Sequence, residues 1–173
     1  MFSKLRMALL LAGSIACVAH GHASENAPAS ERLKSCNASV ALSAAKEILN
    51  NPQTLREPLE MFAPALTLFQ SGEKDEAVFW FYAAQLRTRY QLVFQKGDRG
   101  QLLQVMLMTV GPPINNHAFQ DVLKLDRQLE RVLAWDRSTP NPLRERPRSP
   151  DVEAQIRKVY ASFDDMRAKL RTE

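Results

Sequence analysis

The chain has 173 residues, 45% of them hydrophobic, with 23 Lys and Arg against 19 Asp and Glu. That is the size and composition of one globular domain, and a net charge of +4 is too weak a field to imply nucleic acid as a partner. Two cysteines and three histidines exclude a disulfide framework and leave little for a histidine-cluster metal site.

Lys4 and Arg6 precede an apolar run from Met7 to Val18 that gives way to small residues, the pattern of a secretory signal peptide. Residues 1–23 are read as that leader, with cleavage after Ala23, or after Ala19 as the near alternative, and the mature protein is expected in the periplasm. In a second reading Ser14-Ile15-Ala16-Cys17 is a lipobox and an acylated Cys17 ties the protein to a membrane, the only membrane contact expected. A lone acyl signal anchors weakly. Loss of the leader leaves 21 basic against 19 acidic residues and a single cysteine, Cys36. No intramolecular disulfide is then possible, and Cys36 is expected as a small buried apolar residue or, in a second reading, as half of an intermolecular disulfide.

Residues 24–30 are small and polar, a flexible leader to a single helical domain over 31–173. Leu33, Cys36, Val40, Ala44 and Ile48 predict a first helix over 31–49, ended by Asn50-Asn51-Pro52. Leu55, Leu59, Phe62, Leu66 and Phe69 form the next stripe. Pro58 fits a first turn there, whereas Pro64 should kink or divide the helix, and Ser71-Gly72 should stop it. From 75 to 94 runs the central element. Its residues Ala77 to Ala84 are all apolar or aromatic, leaving no polar face for two turns, so this helix is expected to be surrounded by protein. Gln85, Arg87, Arg89 and Gln91 give its lower half a polar side, with Arg87 and Arg89 solvated, paired with a carboxylate or available to a partner.

Ala77, Phe81 and Ala84, preceded by Ala65 and Leu68, resemble the second half of a tetratricopeptide or Sel1-like repeat over about residues 61–89, where small residues let paired helices touch. No second copy follows at the expected period. The resemblance therefore implies one repeat-like antiparallel hairpin inside an otherwise individual bundle, and hints at the protein-binding role usual for such repeats.

Beyond a turn at 97–100, Leu102 to Val110 is almost wholly apolar and predicts a short buried helix. Met106 and Met108 fit its core, or alternatively an adaptable binding groove. Gly111-Pro112-Pro113-Ile114-Asn115-Asn116 reads as a rigid loop in which Asn115 or Asn116 caps the following helix. Pro112, Pro113, Asn115, Asn116 and His117 are thus candidate partner-binding residues. That helix carries Ala118, Val122, Leu125, Leu129 and Val132 inward and ends at Trp135. From 136 to 150, four prolines alternate with Arg137, Arg144, Arg146 and Arg148, an extended basic crossing. It is read as a surface linker or as a strap that meets an acidic partner or an anionic lipid surface, with Arg144 and Arg146 as candidate contacts. Ser149-Pro150-Asp151 opens a terminal helix whose inward stripe is Val152, Ile156, Val159, Phe163, Met166 and Leu170.

The mature chain keeps one histidine, His117, four residues from Asp121. An oriented His-Asp pair is possible there, yet no spacing marks a nucleophile, Asp164-Asp165 sits off the inward stripe, and no glycine-rich phosphate loop occurs. The expectation is an all-α bundle of five to six helices, non-catalytic and without cofactor or metal, that binds another protein. Within that class an inhibitor or immunity-type protein against a toxin or wall-degrading enzyme ranks first and an envelope assembly or structural factor second.

Overall fold

In a computed structural model that describes residues 27–95 and 97–172, the chain is an all-α bundle, with no strand among the described residues. The helices are α1 (Ala29–Arg32), α2 (Ala38–Asn50), α3 (Phe62–Gln70), α4 (Lys74–Phe94), α5 (Arg99–Thr109), α6 (Gly111–Ala118), α7 (Val122–Ser138) and α8 (Pro150–Leu170), with 3-10 turns at Pro52–Thr54, Pro58–Met61 and Pro142–Glu145. The expected signal peptide over 1–23 and its Cys17 lie outside the described residues.

α4 is the axis of the bundle. From Ala77 to Thr88 every residue except Trp80 is buried, and α3, the Pro58–Met61 turn, α5, α6, α7 and α8 all lie against it. A helix without a polar face can persist only with such cover. Phe81 has no exposed surface and meets the Phe62 ring edge-on, with centroids 5.7 Å apart. Ala65, Ala77 and Ala84 are fully enclosed, which lets α3 and α4 approach closely. Between them Gly72 takes φ 88°; its N–H donates to Phe69 O, and the Glu73 N–H to Leu68 O at 2.9 Å. This pair of bonds closes a helix end on a glycine in the left-handed region, and it turns the chain into the hairpin.

The prolines act where the backbone can spare a donor. Pro58 opens a 3-10 turn, and Pro64, in the first turn of α3, has no intrahelical acceptor to lose. The predicted division of this stripe therefore falls before Phe62. Ser149 caps α8, its Oγ accepting from Val152 N–H at 3.3 Å, and Ile156, Phe163 and Leu170 are its buried residues. α8 packs on α4 and α7. Arg167 Nε donates to Asp126 Oδ1 at 2.7 Å and Arg171 Nε to Asp126 Oδ2 at 3.0 Å, tying α8 to α7 near the chain end.

Four expectations are corrected. The first helix is broken between α1 and α2, because Asn37 Oδ1 takes the Ser39 N–H at 3.0 Å and caps a new start. Cys36, in that break, is exposed rather than buried, and it is not a free thiol. The run 102–110 is not a buried helix, since Leu103 is the buried residue of α5. Finally, Gly111–Asn116 is not a loop capping a helix at 115 or 116. Pro112 and Pro113 fall in the first turn of α6, which they favour, and α7 starts separately, where Asp121 Oδ1 accepts from Lys124 N–H at 2.8 Å.

Candidate functional site

α6 places the residues of the predicted loop against α4. The Tyr82 hydroxyl donates to Asn115 Oδ1 at 3.1 Å, and burial pushes the Tyr82 phenol up to about 12. Pro112 and Asn116 stay exposed and Pro113 is half-buried. His117 does not pair with Asp121, whose carboxylate is the α7 cap. Its Nε2 lies 3.2 Å from Asp75 Oδ1, while Lys124 reaches Asp75 Oδ2 at 2.6 Å. The Lys124 hydrogen bond, against partial desolvation and with help from His117, holds Asp75 below the usual carboxylate range. His117, Asp75, Asp121 and Lys124 line a hollow of about 120 Å³ whose other walls are Val78, Ala118, Gln120, Leu125 and Gln128. That lining brings neither a hydroxyl nor a thiol to the imidazole.

Arg87, on the polar half of α4, is buried in a knot around Asp136, which is 1% exposed. Arg87 Nε forms an ion pair with Asp136 Oδ1. The Arg87 amino groups donate to Pro140 O at 3.0 Å, Thr139 O at 3.0 Å and Asp136 O at 3.3 Å. These carbonyls belong to the C-terminal end of α7, where free acceptors accumulate and positive charge is favoured. From the crossing, Arg144 Nη2 donates to Asp136 Oδ2 at 2.6 Å, and the Tyr160 hydroxyl of α8 donates to the same oxygen at 2.6 Å. Burial lowers Arg87, partly offset by Asp136. Burial also pulls on Arg144, but the Tyr160 hydroxyl and Asp136 outweigh it and leave that guanidinium raised. Tyr160 is pushed up to about 12 by burial and by its bond to Asp136. Arg87 also lies 4.8 Å from the Trp135 ring centre, and Trp135 stacks edge-on against Trp80 and Phe79.

Two of the candidate arginines are thus structural members of the fold. Arg87 and Arg144 hold the end of α7, the crossing and α8 together, and their hydrogen-bonding groups are largely committed. Arg89 is half-buried over the Phe163 ring at 5.8 Å. Arg146 alone of the four remains exposed, on the lining of a cavity of about 240 Å³ between the crossing, the 52–58 segment and α4. The Pro/Arg stretch is extended only in part, since Pro142–Glu145 forms a 3-10 turn capped by Asn141 Oδ1.

What sequence reasoning placed inside, the fold leaves outside. Met108 is 76% exposed, and Leu102 and Val105 are also exposed; on the neighbouring turns so are Phe119 and Leu123. Residues 102, 105 and 108 recur at intervals of three, which keeps them on one side of α5. Of the two readings of the methionine-rich run, the core one fails for Met108, while Met106 is half-buried. Asp136 was missed, because a single acidic residue at a helix end carries no mark of burial.

The class defined by these features is an all-α bundle with a buried ionic knot and an uncovered apolar helix. No protein family, curated protein or solved structure was found to match the chain. Among the described residues, no helix is long and apolar enough to cross a membrane, and no His, Cys, Asp and Glu group is arranged to hold a metal ion.

Proposed function

We propose that this chain is an exported, non-catalytic binding protein that docks another protein on the apolar side of α5 and, within that class, an inhibitor or immunity-type protein that neutralises a toxin or wall-degrading enzyme in the periplasm. The observation that carries the binding reading is the exposure of Leu102, Val105 and Met108 on one helix. Large apolar side chains grouped on a surface are favoured at protein interfaces, and methionine there adapts its shape to a partner. The likeness of the α3–α4 hairpin to a tetratricopeptide-type pair leans the same way. The inhibitor reading rests on class analogy: a small exported domain without a cofactor suits a protein that acts by occlusion.

The test is co-purification of the tagged, exported protein from its own cells, beside a Val105→Glu/Met108→Glu variant. One stoichiometric partner held by the wild type and lost by the variant supports docking on α5. A fall in that partner's lytic or toxic activity on adding the wild type supports inhibition. A partner retained equally by the variant removes α5 from the reading, and a partner whose activity is unchanged or raised removes inhibition.

A further inference from the structure

Beside the Asp136 knot lies a hollow of about 480 Å³, lined by Tyr90, Ile156 and Tyr160 and by Arg137, Arg144 and Arg148. Its chemistry is one-sided. Asp136 is the carboxylate that ion-pairs with this group among the described residues, and it is already shared by Arg87 and Arg144. Arg137 makes no ion pair there, and Arg148 uses Nη2 on the Arg144 carbonyl at 2.7 Å. Asp136 therefore serves Arg87 and Arg144, and among the described residues it leaves Arg137 and Arg148, both on the hollow, without a carboxylate partner. The second observation is independent of charge. Tyr90 is 2% exposed, and its hydroxyl has no hydrogen-bond partner among the described residues. A buried hydroxyl normally finds a partner, and one that does not calls for an explanation.

Both features are met by the same kind of ligand. A tetrahedral oxyanion carrying up to two charges accepts from several guanidinium forks and a hydroxyl at once, whereas a carboxylate has two oxygens and one charge to share among them. We propose that this hollow binds a phosphoryl group, either as free phosphate or a phosphate monoester or as the headgroup of an anionic lipid, with Arg137 and Arg148 supplying the charge and the Tyr90 hydroxyl donating to one of its oxygens. Arg144 positions the site through the Asp136 knot. The exposure of Arg137 and Arg148 leaves the entrance accessible to a small molecule or to a membrane surface.

The experiment is calorimetric titration of the full chain, at constant ionic strength, with inorganic phosphate, glycerol 3-phosphate and acetate. The expected result is saturable binding of the two phosphates and little of acetate. Tyr90→Phe removes one oxygen and should weaken phosphate by about tenfold, the scale of one charge-assisted hydrogen bond. Arg137→Gln/Arg148→Gln should abolish binding while circular dichroism and melting stay those of the wild type. Acetate and phosphate binding alike, no saturation, or a Tyr90→Phe protein that binds phosphate as the wild type does would overturn the proposal. Vesicles distinguish the sources. Sedimentation with phosphatidylglycerol vesicles but not phosphatidylcholine, reversed by glycerol 3-phosphate, supports the lipid headgroup, and phosphate binding without such sedimentation supports the soluble ester.

Discussion

Among the described residues, α4 and α5 carry the two least amphipathic apolar runs, and they end in opposite surroundings. α4 is enclosed over nearly its whole upper half, whereas α5 buries Leu103 and leaves Leu102, Val105 and Met108 to solvent. The difference comes from connectivity. α4 is long and is covered by elements from both sides of it in sequence. α5 follows it closely in sequence and runs into α6 with Val110 alone between them, so it lies mainly on α6 and α4. An apolar run without a polar face states that cover is needed; it does not say whether the same chain supplies it.

The largest effect expected is on the covered side. Phe81→Ala should cost about 3 to 5 kcal/mol in denaturant unfolding, because the ring is fully enclosed and its removal leaves a cavity against Phe62. A loss under about 1 kcal/mol would show that α4 is not the axis. Trp80→Ala should cost clearly less, since Trp80 is the half-buried member of that run and its truncation leaves a site that water can enter.

Close behind comes the ionic knot. Asp136→Asn leaves Arg87 and Arg144 without a counter-charge at the end of α7, and removal of one partner of a buried pair costs about 3 kcal/mol or more. Equilibrium unfolding measures it, and a neutral outcome would mean that the α7 carbonyls alone satisfy both guanidinium groups. At the other end of α7, Asp126 is held below the usual carboxylate range by hydrogen bonds from Arg171 and Arg167, against some desolvation. A carboxylate lowered in the folded state contributes its full stability above its unfolded value, near pH 4, and loses it as pH falls through the folded one. Wild type and Asp126→Asn should therefore differ at neutral pH and converge in acid, below about pH 4. An unchanged gap between the two from neutral pH down into that acid range would show that the clamp is not ionic.

The sequence carried the helical class, the central helix, the α3–α4 hairpin and the Ser149-Pro150 start of α8, since each has a local cause: a period, a left-handed glycine or a cap. It misplaced the elements whose position depends on distant neighbours. Nothing near Gly111 says that its missing side chain serves Phe81, yet a Cβ there would sit 3.2 Å from the Phe81 ring, and this fit seats α6 as a helix where a loop was expected. Of the readings open for Arg87, the carboxylate pair is the one the fold makes, but its partner, Asp136, lies 49 positions away and nothing near Arg87 names it. Of the candidate site residues, Pro112, Asn116 and Arg146 kept the exposure a contact needs, while Arg87, Arg144 and Asn115 were drawn into the framework.

The smallest expected effect is the most informative about α5. Met108→Gln should change stability by less than about 0.5 kcal/mol, the range of surface substitutions that break no specific contact. Gln keeps the length and much of the helix propensity of Met, so propensity is not what the comparison reads. Leu103→Gln is the control on the same helix: it buries an amide without a partner and should cost several times as much. If both substitutions destabilise alike, α5 is covered on all sides after all and its resemblance to α4 is complete. If only Leu103→Gln does, the folded chain stands without any cover over Met108, and conservation of stability beside loss of partner capture would place the role of that face in binding rather than in folding.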